Sequence, residues 1–276
     1  MTTAVAARAL PRLRGAVRGL PLVVAGALVL TAIAYPLTSG SARDAVSWTI
    51  VVLGSVLSVV HAGLSRGART GIGVLVLVSL TAVAFEAVGL ATGVPYGSYR
   101  YSDALGPTLL GVPFLVPLAW LMMAWPSWLL GEHLARPVRP GRRRAVRIVS
   151  AAGVFAGWDV VLDPQMVQAG YWTWADPSPG LPGIGSVPLT NLAGWLLAGL
   201  VLMPLLDLLV TRTAAPGGPR IGAAAPFLAL AWMTLGGALA HAGWLGLPGS
   251  AVWGVALAVP VLVVLLVRNR RAGGHG

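Results

Sequence analysis

The chain has no cysteine, no lysine and very little charge of either sign. Without cysteine there is no disulfide, no thiolate nucleophile, no cysteine-ligated zinc and no iron–sulfur cluster. Without lysine there is no protein Schiff base and no P-loop lysine. Charged residues make up 10% of the 276 positions, where soluble domains average roughly 25%. Apolar residues make up 57%. This composition excludes an ordinary soluble domain. It also excludes disorder, which needs low hydrophobicity and high charge. At roughly 20 apolar residues per crossing, it predicts an all-α, polytopic membrane bundle.

Eight apolar stretches carry that expectation, at about 20–37, 46–64, 71–90, 112–131, 146–162, 188–210, 221–245 and 250–267. The first follows Arg8, Arg12, Arg14 and Arg18. It is long for a signal-peptide core and lacks a clean cleavage site, so it reads as a retained helix. The predicted organisation is an Arg-rich arm (1–19), one bundle (20–267) and a tail (268–276). A net charge of +11 would suit nucleic acid, but the placement of the arginines points elsewhere. The N-terminal arm, the 65–70, 135–147 and 211–220 loops and the tail hold 17 of the 19. The alternate loops hold only Arg43 and Arg100. Under the positive-inside rule both termini are cytoplasmic, the protein is multi-pass in a cell membrane, and its basic residues meet anionic lipid, not nucleic acid.

Two non-cytoplasmic loops stand apart. Residues 91–111 read ATGVPYGSYRYSDALGPTLLG, and residues 163–187 read DPQMVQAGYWTWADPSPGLPGIGSV. Gly and Pro punctuate turns, and Tyr and Trp favour the membrane interface. Both loops are expected to fold back over the mouth of the bundle.

Only eight acidic residues exist, and carboxyls inside a membrane are costly and usually functional. Glu86 lies in the third apolar stretch. Asp159 lies in the fifth, four residues before Asp163, and positions i and i+4 share a helix face. Pro164 disfavours helix at Asp163, so Asp163 is expected at the helix end. Asp207 is expected to pair with nearby Arg212, and Glu132 and His133 to sit at a helix end beside Arg136. Asp44 and Asp176 are expected in solvent. His61 and His241 read as packing histidines, since no metal-ligand spacing such as HExxH is present; His275 lies in the tail. Aromatic residues crowd the two loops and their flanks: Tyr96, Tyr99, Tyr101, Trp120, Trp125, Trp128, Trp158, Tyr171, Trp172 and Trp174. Some suit an interfacial belt. The rest could line a pocket, because ring faces stabilise positive charge.

Three stretches together resemble a known family: FEAVGLATGVPYGSYRYSDALGPTLLGVPFLVPLAWLMM, GWDVVLDPQMVQAGYWTWADP and VPLTNLAGWLLAGLVLMPLLD. They are similar to the carotenoid biosynthesis membrane family that contains carotenoid 1,2-hydratases and bisanhydrobacterioruberin hydratase. The likeness covers about residues 80–210. It implies a membrane enzyme that adds water to a terminal isoprenoid double bond of an acyclic or monocyclic carotenoid, leaving a tertiary alcohol, without a cofactor. Other carotenoid enzymes would be its neighbours in the membrane.

The residues suit that chemistry in their own right. Hydrating a trisubstituted alkene needs a proton on the less substituted carbon and water on the resulting tertiary cation. A carboxylic acid in apolar surroundings can supply the first, and a second carboxylate can orient the water. The expected roles are Asp159 as acid, Asp163 as the water-positioning base and Glu86 in support. Tyr96, Tyr99, Tyr101, Trp120, Trp158, Tyr171 and Trp172 would shape the pocket, with Asn191 holding water or the carboxyl network. No metal is expected. Three other readings remain, one of them a family member that shapes carotenoid composition through another reaction or as a partner protein. A membrane prenyltransferase would use the Asp159–Asp163 spacing as half of a metal–diphosphate motif. A lipid or carotenoid transporter or carrier would use the buried acids for proton coupling.

Overall fold

The computed structural model describes residues 2–215 and 221–273. Arg220 and His275 lie outside the described residues. The apolar stretches fold as helices, as their composition dictates. In a bilayer every backbone polar group must find its partner within the segment. The helices are α1 (Thr2–Ala34), α2 (Gly40–Arg66), α3 (Ala68–Thr92), α4 (Leu115–Ala135), α5 (Pro140–Gln168), α6 (Leu189–Thr213), α7 (Ala224–Leu245) and α8 (Pro248–Gly273). Among the described residues, six of them are long and apolar enough to cross a membrane: α2, α3, α5, α6, α7 and the Arg18–Leu37 part of α1 with the turn that follows it.

Helix α4 is apart from those six because tryptophan, proline and serine dilute its aliphatic residues. It is instead the post around which the bundle packs. It touches α2, α3, α5, α6 and α7, and almost every residue from Leu115 to Gly131 is buried. Small residues set the helix spacing, as they do where lipid leaves no hydrophobic drive between helices. A β-carbon on Gly199 of α6 would lie 3.1 Å from the Ala152 backbone of α5.

Helix α5 departs from the sequence expectation. It does not end at Asp163 but runs through Pro164 to Gln168. Proline removes one helical hydrogen bond and strains the turn before it. Here the turn is held by burial: Asp163, Pro164 and Met166 are all buried against neighbouring elements.

The arginine-rich loops meet at one end of the bundle. Arg66 grips Glu132 through both carboxylate oxygens, at 2.9 and 2.7 Å. Arg144 and Arg147 both pair with buried Asp207, at 3.0 and 2.6 Å. These partners correct the expectation that paired Asp207 with Arg212; Glu132 and His133 do sit at the end of α4 beside Arg136, as expected, with Glu132 held by Arg66. Arg144 and Arg147 reach Asp207 from the start of α5, which packs against α6. Trp125 and Trp128 stack at 5.3 Å, and Arg66 and Arg147 lie over Trp128. His61 is a packing histidine, as expected. Its Nδ1 accepts from Trp125 Nε1 at 3.0 Å, and its Nε2 faces the Gly222 carbonyl at 3.2 Å.

At the other end the two irregular loops fold over the bundle and pair. Strand β1 (Tyr99–Tyr101) runs antiparallel to β4 (Trp172–Trp174), with Tyr99 opposite Trp174 and Tyr101 opposite Trp172. Strands β2 (Thr108–Leu109) and β3 (Val112–Pro113) form a small hairpin between β1 and α4. Asp44 is not free in solvent as expected: its Oδ1 accepts the Tyr171 hydroxyl at 2.6 Å, which ties α2 to the second loop. Asp176 is exposed, and its carboxylate accepts the Ser178 amide within a turn.

Candidate active site

Under the β1–β4 lid lies a chamber of about 260 Å3, walled almost wholly by apolar groups. Its polar features arrive from three helices. Glu86 comes from α3. Its Oε2 accepts the hydroxyls of Tyr99, at 2.5 Å, and Tyr101, at 2.8 Å. Its Oε1 accepts the Trp120 indole N–H at 3.3 Å. Three donors converging on one buried carboxyl group suit its acceptor-only, ionised form. Burial, and next the Glu86 charge, push the Tyr99 and Tyr101 hydroxyls well above their usual range, so both stay protonated and keep donating.

The second polar feature is the carboxyl pair on α5. Asp159 and Asp163 lie within hydrogen-bonding reach of each other. Asn191 of α6 bridges them: its amide nitrogen donates to Asp159 Oδ2 at 2.7 Å and to Asp163 Oδ2. Asp163 Oδ1 also accepts the Trp172 indole N–H at 3.2 Å. Asp159 Oδ1 is buried and has no hydrogen-bond partner among the described residues.

Of the residues singled out from sequence, Glu86, Asp163, Tyr96, Tyr99, Tyr101, Trp120, Trp158, Tyr171, Trp172 and Asn191 all line the chamber. Asp159 does not. It sits behind Asp163 and Asn191, against a separate small cavity under residues 181–188. Tyr96 is wedged between helices: β-carbons on Gly89 or Gly194 would collide with its ring. The lid also joins the two polar features. Tyr101 bonds Glu86, Trp172 bonds Asp163, and the two rings meet edge to face at 5.7 Å.

Sequence reasoning missed Trp195, whose ring lies 5.0 Å from Trp120, 5.1 Å from Phe155 and 6.2 Å from Trp158. Its signal was available, because it follows Asn191 by four residues and so shares its helix face. It also missed Gln165, which lines the chamber while its Oε1 faces His241 Nε2 at 3.0 Å. Nothing in the sequence marks that contact. His241 Nδ1 meets the Ser250 hydroxyl at 2.6 Å, so this histidine, too, is satisfied by packing partners. Among the described residues no group of three His, Asp or Glu is arranged to hold a metal ion. Among the described residues no arginine lines the chamber.

The sequence profile of carotenoid biosynthesis proteins matches residues 46–263, which includes every site residue named above. The chain belongs to the carotenoid biosynthesis protein family. It is also similar to a bisanhydrobacterioruberin hydratase from Haloarcula japonica, with 39% identity over 139 residues. The alignment spans 48% of this chain and 44% of that protein, so it covers less than half of either. No solved structure is a significant match to this carotenoid biosynthesis protein.

Proposed function

We propose that this carotenoid biosynthesis protein is a hydratase that adds water across a terminal isoprenoid double bond of an acyclic or monocyclic carotenoid, without a cofactor. The observation that carries this reading is the opening of two carboxyl groups, Glu86 and Asp163, into one aromatic-walled apolar chamber. The name of the Haloarcula relative points the same way.

In this mechanism the Asp159–Asp163 pair holds one proton. Two carboxylates so close do not both ionise readily. A proton held by Asp159 can be donated to Asp163. Asp159 thus stores the proton, and Asp163, which faces the chamber, passes it to the less substituted alkene carbon. The π electrons form the new C–H bond and leave a tertiary cation. Trp120, Trp158 and Tyr101 line the chamber around it, where aromatic ring faces attract positive charge, and the Glu86 carboxylate offsets its charge across the chamber. Water adds to the cation through oxygen and returns its extra proton to Asp163. The pair ends as it began, and the product is the substrate plus one water.

The membrane arrangement belongs to the same reading. The protein crosses the bilayer eight times, counting α4 and α8, as a single bundle between a cytoplasmic arm and tail. The site opens toward the non-cytoplasmic side of a bacterial inner membrane, among lipid and other carotenoid enzymes. The prenyltransferase alternative requires basic groups to hold a diphosphate, and the arginine-free chamber wall does not favour it.

The test is expression in bacteria that make an acyclic carotenoid, with mass analysis of the pigment. A gain of one water per modified end, lost in Asp159→Asn and Asp163→Asn at equal protein level, is the expected result. Full product from both variants refutes the assigned roles. A gain of an isoprenyl unit favours prenyl transfer, and pigment that moves without changing mass favours a carrier.

A further inference from the structure

The lid covers one side of the chamber, but another side is open. Ile33 and Leu37, at the end of the first apolar stretch, line the chamber, as do Leu239 and Trp244 of α7. Yet they are 44%, 66%, 60% and 60% exposed. All four lie in stretches long and apolar enough to cross a bilayer. Their exposed faces therefore meet lipid.

Helix α7 is irregular along this border. Two π-helical turns, Trp232–Gly236 and His241–Leu245, bracket the short α-helical run Gly237–Ala240. Such turns are rare and recur at functional sites. Gly236, Gly237 and Ala240 also line the chamber with almost no side chain, which leaves the wall thin there.

Volume supplies the third observation. At about 260 Å3 the chamber falls near the low end of sites for small ligands, roughly 300–1,000 Å3. One end of a carotenoid fits; the whole polyene does not. Resting on the hydratase reading above, we propose that the gap between the end of α1 and α7 is a lateral portal, through which one end of an extended apolar chain slides in from the bilayer while the remainder stays in lipid. The arrangement leaves the long chain in an apolar medium throughout, so no greasy surface has to meet water. It also restricts the reaction to chain ends, because only an end can pass the rim and reach Asp163.

The absence of cysteine from the chain makes a direct test clean. Leu37→Cys and Leu239→Cys each place one thiol at the rim. Leu200→Cys, at a position 47% exposed on α6, places one on another part of the lipid face. Each variant is labelled with N-ethylmaleimide in membranes with and without lycopene, an acyclic polyene with a trisubstituted double bond at each end. Lycopene is expected to slow labelling at least fivefold at both rim positions and to leave Leu200→Cys unchanged. Equal labelling with and without lycopene at the rim overturns the portal, and so does equal slowing at Leu200→Cys. Protection needs binding only. Lycopene that shields the rim yet is never hydrated sinks the hydratase reading and spares the portal; hydration without protection does the reverse.

Discussion

Asn191→Leu isolates one step of the proposed mechanism. The Asn191 amide donates to Asp159 Oδ2 at 2.7 Å and to Asp163 Oδ2, and leucine keeps its approximate size while removing both donors. A hydrogen bond to a neutral partner contributes roughly 0.5–1.5 kcal/mol, and one to a charged partner roughly 1.5–3 kcal/mol. While the pair holds its proton, one of the two bonds goes to a neutral carboxyl. Once the proton has moved to the alkene, both go to carboxylates. The bond that changes character strengthens by about 1–1.5 kcal/mol on those values, and only that increment acts on the barrier. At about 1.4 kcal/mol per factor of ten, turnover falls about tenfold. The remainder, about 2–4.5 kcal/mol, is lost from both states and appears as a lower melting temperature. The assay is product formed per folded protein in membranes, by pigment chromatography at saturating carotenoid, with thermal unfolding followed in detergent. Wild-type turnover per folded molecule refutes the shared-proton argument. A thousandfold loss refutes it too, because Asn191 would then touch the reacting atoms.

Other expectations follow from the same contacts. Glu86→Gln keeps an acceptor for Trp120, whose indole can only donate, and so turns its NH2 toward Tyr99 and Tyr101. Losing the preorganised charge should lower turnover about a hundredfold with little change in carotenoid bound, measured by pigment retained on the purified protein. Asp207→Ala strips Arg144 and Arg147 of their shared partner at the far end of the bundle. It should cost about 2 kcal/mol of stability, read as a lower melting temperature, with unchanged turnover per folded protein. Burial, followed by its bond to Asp44, pushes the Tyr171 hydroxyl up to about 12 from an ordinary 10.0. A raised value favours the neutral form in the folded state. Its contribution to stability is therefore complete below pH 10 and lost as pH rises from 10 to about 12. Melting temperature should fall across that window, and less steeply in Tyr171→Phe.

How much of this was legible in the sequence depends on the range of the interaction. The helices could be placed because a bilayer demands long apolar runs with internally paired backbones, and that demand is local; six of them, among the described residues, are long and apolar enough to cross. Glu86, Asp159 and Asp163 could be singled out because a carboxyl in lipid is costly wherever the fold puts it. The orientation of those carboxyls was not local. Asp159 and Asp163 share a helix face by spacing, yet only Asp163 reaches the chamber, because Asn191 from another helix covers Asp159. The same limit misassigned the partner of Asp207 to Arg212, a neighbour in the chain.

The lid shows the opposite case, in which a short pattern carried a long-range consequence. Tyr99 and Tyr101 are two residues apart, as are Trp172 and Trp174. On a helix such pairs would point about 200° apart, at 3.6 residues per turn; on a strand they point the same way. Both tyrosines reach the same oxygen of Glu86, which no helix could arrange. The Gly- and Pro-rich sequence around them keeps these segments from continuing the helices on either side. The irregular loops therefore add two donors to the one that Trp120 of α4 already brings to the buried carboxylate, with the antiparallel partner strand setting Trp172 against Asp163 in the same stroke.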